Sequence, residues 1–185
     1  MSNPGSFKAR STEWLDFSNG KPGSDTFIIE DYPDPTMQNV IEVIRAAYTR
    51  NRLGSPDGVV SIYNLSNIVE SKGEKAEERH ENAMKIIREK NLQISILEDP
   101  TVFNIEKLIH CCDQANFMIV GFLKYAFLDK VAHVQQYMEN PSISNKLVVA
   151  VDKDNFYAHP VRWRREKHLM DAAISELSEV LSKRG

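Results

Sequence analysis

The chain has few cysteines and no apolar leader. Its two cysteines, Cys111 and Cys112, are adjacent, and neighbouring side chains on a helix point about 100° apart, so they seldom pair with each other. The sequence therefore predicts no disulfide framework, which is typical of a reducing compartment. Residues 1–5 contain no apolar signal-peptide core, and Ser2 stands where N-myristoylation requires a glycine. These absences favour an intracellular, cytoplasmic protein.

A hydrophobic run long enough to cross a bilayer is also missing. The longest apolar run extends from Phe117 to Leu128 and is interrupted by Lys124, whereas a membrane-spanning helix needs ~20 apolar residues. We therefore predict no membrane insertion and interpret this run as part of a buried helix.

The common catalytic and metal-binding motifs are missing as well. There is no Gly-rich phosphate loop, no Gly-x-Ser-x-Gly, and no Cys-x-x-Cys or His-x-x-x-His pair that could hold zinc. Glu77-x-x-His80 occurs once, whereas the di-iron bundles use two such motifs with two further glutamates. His110 directly precedes Cys111, so a helix would direct the two side chains apart and His110 could not serve that thiol as a base. We predict no cofactor, no metal and no catalytic residue.

Extreme charge is absent too. The 185 residues carry 23 Lys and Arg against 26 Asp and Glu, which gives a formal net charge of −3 and a sequence pI of about 6.0. This excludes a wholly basic nucleic-acid coat, so a phosphate-binding surface has to come from local clustering of cations. With 42% hydrophobic residues, a chain of this length suits one globular domain with a tail.

The sequence predicts an extended N-terminal arm and linker over residues 1–35 and a single helical domain over residues 36–185. The first 26 residues are rich in Ser, Gly, Asn and Pro, yet they also carry Trp14 and Phe17 without a helical or strand period. A disordered tail has fewer large apolar groups. We interpret the segment as an arm that docks through these aromatic rings, either on its own domain or on a neighbouring copy. An unattached terminus is the alternative.

Apolar periodicity predicts about six helices. They are expected after Thr36 as a cap, after Ser55-Pro56, over Glu74–Lys90, from Asp99-Pro100 onwards, and from Pro160 to about Lys183. The longest stretch of helical spacing begins at Ile105 and reaches Ala126, and it continues or restarts through Met138. We predict that residues 105–138 form a long central helix, around which the core is built.

Short apolar runs predict a minor β element. Residues 92–96 alternate with a period of two, and Leu147–Val151 is a second apolar run that could pair with them. Phe27–Ile29 is a third short candidate strand. The predicted fold class is mainly α, with about six helices around a long central helix and a two-stranded β element as the optional addition. An all-α bundle is the alternative.

The start of the last predicted helix is crowded with basic and aromatic side chains: Arg162, Trp163, Arg164, Arg165, Lys167 and His168. Exposed cations at a helix N-terminus oppose the helix dipole, at a cost of ~0.3–1 kcal/mol each. Arg and Lys neutralise phosphates, and aromatic rings stack on bases. The cluster therefore predicts a contact with RNA or DNA. A solvated basic turn paired with the acid-rich helix 74–90 is the alternative.

The same helix carries an apolar stripe with the spacing of a helix–helix seam. Its members are Trp163, Met170, Ile174, Leu177 and Leu181. Because the stripe covers fewer than three heptads, packing within the chain is favoured over an interface with a partner.

Three functions fit these patterns. The favoured one is a non-enzymatic structural and assembly protein that self-associates through the arm and contacts RNA or DNA through the basic turn. The second is an adaptor or regulatory protein that binds another protein through the C-terminal amphipathic helix. The third is an enzyme with a non-contiguous site that uses His110, His133 or His159.

Overall fold

The computed structural model describes residues 33–68, 70 and 73–183. Within these residues the fold is mainly helical with one two-stranded parallel sheet, as predicted. The α-helices are α1 (Pro35–Arg50), α2 (Gly73–Glu89), α3 (Ile105–Gln114), α4 (Leu128–Met138), α5 (Pro141–Ser144) and α6 (Lys167–Ser182). The strands are β1 (Met118–Val120) and β2 (Leu147–Val149), and short 3₁₀ turns lie at Ile94–Ile96 and Pro160–Arg162. The candidate strand 27–29 and the apolar arm residues Trp14 and Phe17 lie outside the described residues.

Helix α1 begins at Pro35 because the residue before it supplies the cap. The Asp34 carboxylate accepts a hydrogen bond from the Met37 N–H at 2.8 Å, and a proline in the first turn needs no partner for its nitrogen. Thr36, which was predicted as the cap, lies inside the helix and is buried. The helix is confirmed, but its predicted cap is wrong.

The two-stranded sheet separates two apolar clusters. In the parallel pair, Ile119 of β1 lies opposite Val148 of β2. Side chains alternate along a strand, so these two residues belong to the cluster formed by α1 and α6. Their neighbours Val120 and Leu147 face the other cluster, which α3 and α4 build. The short sheet therefore packs against one apolar cluster on each of its two faces.

The long central helix predicted over residues 105–138 is not one helix, although the predicted restart before Met138 is confirmed as α4. Helix α3 ends at Gln114, β1 follows at Met118–Val120, and α4 begins only at Leu128. A short continuous apolar run suits a buried strand as well as a helix, and its period alone cannot separate the two. The β-branched residues in β1 favour the strand once β2 is available as a partner.

The strand predicted over residues 92–96 is also wrong. It contains the 3₁₀ turn at Ile94–Ile96, and β2 pairs with β1 instead. Leu92 and Ile94 are about half exposed. The alternating pattern therefore has no apolar layer to pack against.

Two predicted helices change as well. Residues 51–68 contain no helix or strand, although Ser55-Pro56 resembles a helix start. Pro160 opens only a 3₁₀ turn, and α6 begins seven residues later, at Lys167. By contrast, α2 forms as predicted and buries Ala76, His80, Met84 and Ile87. None of the helices within the described ranges is long and apolar enough to cross a membrane.

Gly121 allows the chain after β1 to approach the segment before α6. A Cβ at this position would lie 2.6 Å from the Ala158 carbonyl oxygen and 2.9 Å from Cδ of Pro160. The next residue, Phe122, donates its N–H to the Tyr157 carbonyl at 2.9 Å. This close crossing brings the turn after β1 beside the turn at residues 152–156, which precedes the predicted basic cluster.

Candidate binding surface at the start of helix α6

The carboxylate of Asp152 organises the segment that leads into α6. Its side chain is 1% exposed and accepts hydrogen bonds from Nη1 of Arg162 at 2.8 Å and Nζ of Lys124 at 3.3 Å. The backbone N–H groups of Asp154 and Phe156 donate to it at 3.0 and 3.2 Å. The Arg162 guanidinium, together with these other donors, holds the pKa of Asp152 far below its usual range. Asp152 is therefore a permanently charged anchor, a role that its place in a predicted turn did not reveal.

Arg162 is held inside the fold by two carboxylates. Its Nε and Nη2 donate to the two carboxylate oxygens of Glu166 at 2.7 and 3.0 Å, while Nη1 donates to Asp152. The hydrogen bonds that the Arg162 guanidinium donates to Glu166 and Asp152 raise its pKa. Such a bidentate pair fixes geometry as well as charge. Three of the five N–H donors that the sequence assigned to phosphate at Arg162 are thus already occupied.

Trp163 is a buried anchor. It is 0% exposed, lies in the cluster between α1 and α6, and donates its indole N–H to the Ala158 carbonyl at 3.1 Å. A ring in this position faces the protein core. It is not available to stack on a base.

The other four basic side chains of the predicted cluster are exposed: Arg164, Arg165, Lys167 and His168. We call these four residues the basic surface. Arg164 pairs with Glu42 of α1 at 3.1 Å, but both side chains are mostly exposed, and pairs of this kind contribute little to stability. Arg165, Lys167 and His168 have no carboxylate of the described chain within ion-pair distance.

The acid-rich helix α2 does not neutralise this cluster. Within the described residues, the carboxylates that pair with it belong to Asp152, Glu166 and Glu42. The alternative prediction of pairing with residues 74–90 is therefore wrong. Glu166 is four residues after Arg162, so the i,i+4 rule could have identified this partner from the sequence.

The start of α6 adds to the positive charge of the basic surface. Glu166 occupies the N-cap position without a side-chain capping bond, because Arg162 holds its carboxylate. The first N–H groups of a helix have no partner within the helix, and they carry the positive end of its dipole. The Leu169 N–H donates to the Glu166 carbonyl at 2.8 Å, and the N–H groups of Lys167 and His168 precede it beside the exposed cations, an arrangement suited to phosphate oxygens.

The apolar stripe of α6 is used within the chain. Met170, Leu177 and Leu181 are buried in the cluster shared with α1, and Ile174 packs against its edge. Packing within the chain was the favoured interpretation of this spacing. These residues leave no exposed seam on α6 for a partner helix.

A buried Ser–His–Glu chain, which the sequence did not suggest, joins three separate segments. His80 lies 2.9 Å from Oγ of Ser66 through Nδ1 and 3.1 Å from Oε1 of Glu98 through Nε2. Because a carboxylate only accepts, Nε2 donates to Glu98 and the serine hydroxyl donates to Nδ1. The order of donors is that of a catalytic triad. However, Ser66 and His80 are both fully buried, so a substrate cannot reach the hydroxyl.

The Glu77-x-x-His80 motif stabilises a turn. Oε1 of Glu77 accepts the backbone N–H of Phe127 at 3.1 Å, and the His80 ring meets the Phe127 ring edge-on at 5.3 Å. Phe127 has a φ of 57°, a left-handed conformation that a bulky residue adopts only when its surroundings hold it. Among the described residues, no group of three or more His, Cys, Asp or Glu side chains is arranged to hold a metal ion.

His159 is the second buried histidine. Its Nδ1 accepts the Val161 N–H at 3.2 Å, so the proton of the neutral ring is on Nε2, which has no partner within the described residues. Burial lowers the pKa of His159 to about 3. The ring lines an enclosed cavity of about 10 Å³ beside Leu65 and Gly121. That volume holds about one water molecule and no substrate.

The remaining candidate nucleophiles and bases lie apart. His110 is exposed on α3, whereas His133 on α4 hydrogen-bonds the Tyr137 hydroxyl at 2.7 Å. Burial raises the pKa of Cys112 to about 11, which keeps it a thiol. Cys111 accepts a hydrogen bond from the Tyr63 hydroxyl at 3.4 Å.

The basic surface is thus the best candidate for a functional site in the described chain. Its cations are accessible, whereas the buried polar groups around His80 and His159 are not. No protein-family model, curated protein or solved structure matches this chain. Its geometry is therefore what bears on function.

Replacing Asp152 with Asn is expected to lower the free energy of unfolding by about 2–3 kcal/mol. The amide removes the charge that Arg162 and Lys124 share and leaves the buried end of the guanidinium without its anion. Urea denaturation at pH 7 measures the change. The control Asp154→Asn removes the more exposed carboxylate that pairs with the same Lys124, and it is expected to cost much less. Equal losses in the two variants would contradict the anchoring role of Asp152.

The free energy of unfolding is expected to decrease as the pH is lowered below about 6.5, in part because of His159. The folded-state pKa of His159 is about 3, so below pH ~6.5 the unfolded chain binds a proton that the folded chain excludes. This lowers the free energy of unfolding by up to ~1.4 kcal/mol per pH unit. His159→Asn keeps an acceptor for the Val161 N–H and should flatten the pH dependence between about 6 and 4. An unchanged slope, equal to that of the exposed His110→Asn control, would refute this assignment.

Proposed function

We propose that this protein is a non-enzymatic assembly protein that self-associates and contacts nucleic acid through its basic surface. One observation carries the nucleic-acid part. Arg165, Lys167 and His168 stand exposed at the positive end of α6, and no carboxylate of the described chain lies within ion-pair distance of any of them. Phosphate groups would neutralise these charges and release counterions, which is the main source of sequence-independent affinity.

The members of the predicted site that bond within the fold take a positioning role in this proposal. Arg162 and Trp163 fix the segment from which Arg164 and Arg165 project. With Trp163 in the core, the basic surface has no aromatic ring of the original cluster for base stacking. The proposed contact is therefore with the phosphate backbone, and it discriminates little between sequences.

The self-association part is motivated by the aromatic arm residues Trp14 and Phe17, which lie outside the described residues. An exposed apolar segment in the described chain, considered below, gives it further support. The reducing, intracellular location inferred from the adjacent cysteines belongs to the same proposal. An adaptor that binds a partner through the α6 stripe has less support, because Met170, Leu177 and Leu181 are buried. An enzyme has less support because Ser66 and His80 are buried.

Replacing Arg164 and Arg165 together with Ala is expected to weaken nucleic-acid binding and leave the fold intact. Both side chains are exposed, and neither contributes to the core. Each lost phosphate contact should reduce the slope of log affinity against log salt by about one unit. Fluorescence anisotropy with a labelled oligonucleotide, titrated at several salt concentrations, measures this slope.

The matched control is Lys85→Ala with Arg88→Ala, which removes the same charge from exposed positions on α2. It should leave the salt slope near that of the unsubstituted protein. If the two double variants lose affinity equally, binding reflects overall charge and the basic surface is not the site. If neither loses affinity, the proposed contact is also wrong.

A further inference from the structure

Residues 53–63 expose an unusual number of apolar side chains. Val59 is 93% exposed, and the other large members of the segment that lie at the surface are Leu53, Val60, Ile62 and Tyr63. The segment contains one charged residue, Asp57. Large apolar side chains clustered at a surface commonly mark an interaction site.

The backbone of the middle of this segment, residues 54–62, is open as well. Leu53 closes the end of α1 by donating its N–H to the Tyr48 carbonyl at 3.0 Å. Residues 54–62 then form no backbone–backbone hydrogen bond with any described residue. Gly54 and Gly58 have positive φ angles of 77° and 149°, and apart from its chain neighbours no described residue has an atom within 4 Å of a Cβ built on either. Free N–H and C=O groups beside apolar side chains are what an added segment of chain binds.

The chain that precedes α1 offers an apolar ligand with sufficient reach. Residues 1–32 lie outside the described structure and include Trp14, Leu15 and Phe17. Helix α1 has 16 residues, which corresponds to about 24 Å. The residues between Phe17 and Pro33 can span up to ~50 Å when extended. Trp14–Phe17 can therefore reach the far end of α1, where the exposed segment begins, and can extend beyond it to another copy.

We propose that residues 53–63 are the docking surface for Trp14–Phe17 of a second copy of this chain. This rests on the self-association proposed above and names its receptor. The arm's rings would cover Val59, Val60 and Ile62, which the described part of their own chain leaves open to solvent. The unpaired backbone groups of residues 54–62 would supply main-chain hydrogen bonds. Each copy then carries one ligand and one receptor, so the contact closes a small oligomer or extends as a chain.

The two tryptophans allow a direct test on the full chain. Trp163 is buried in the core, so its emission should not change with protein concentration. Trp14 is the only other tryptophan, and docking would move it from water into an apolar contact. The emission maximum is expected to shift to the blue as concentration rises, in step with the mass measured by light scattering. Trp14→Phe should remove that shift.

Val59→Ser with Ile62→Ser tests the receptor. Both positions are exposed, so the fold should survive, and far-UV circular dichroism checks this. The double variant is expected to weaken association about tenfold or more and to abolish the Trp14 shift at concentrations where the unsubstituted chain shows it. The matched control is Ile86→Ser on α2, which changes an apolar side chain that is 50% exposed. It should keep both the mass and the shift.

The outcomes separate this inference from the proposed self-association. If the double variant still assembles and keeps the shift, residues 53–63 are not the receptor, although self-association stands. A blue-shifted Trp14 at every concentration would place the arm on its own chain and overturn docking between copies. A full chain that stays monomeric throughout the series would overturn both proposals.

Discussion

The buried charge of Asp152 is the constraint on which the candidate surface depends. It joins Lys124 from the turn after β1, its own turn before residue 156, and Arg162 at the entry to α6. A carboxylate removed from water in this way is tolerable only with such partners, and losing one is costly. Arg162 in turn holds Glu166, which leaves the first turn of α6 uncapped by a side chain. The bonds among Asp152, Arg162 and Glu166 therefore fix the segment from which the exposed cations of the basic surface project.

Within residues 162–165, two side chains stabilise the fold and two are available for the proposed binding. Arg162 and Trp163 point to partners inside the protein, whereas Arg164 and Arg165 are exposed. After the C-terminal end of α1, residues 53–63 show a different character, with exposed apolar side chains and, over residues 54–62, no backbone hydrogen bond to a described residue. An exposed, positively charged surface suits a polyanion, and an open apolar segment suits a second chain.

Local sequence patterns predicted the apolar faces of three helices, but they did not predict which distant segments pair with each other. The stripes of α1, α2 and α6 follow from a period of 3.6, which depends only on near neighbours. Strand β1 could not be found that way, because its choice of strand over helix depends on β2, which begins 27 residues after β1 ends. The false helix after Ser55-Pro56 shows the converse, since apolar spacing alone does not form a helix without a core to cover. The partners of His80, at Ser66 and Glu98, lie on other segments, and no local spacing reveals such a contact.

The most direct test of the central claim is size-exclusion chromatography with light scattering on the purified full chain at low and high salt, with absorbance recorded at 260 and 280 nm. Assembly with nucleic acid on the basic surface predicts a mass above that of one 21.1 kDa chain and a raised 260/280 ratio that falls as salt increases. The salt dependence follows because counterion release drives phosphate binding. A monomer of the same mass and the same low ratio at both salt concentrations would contradict the account.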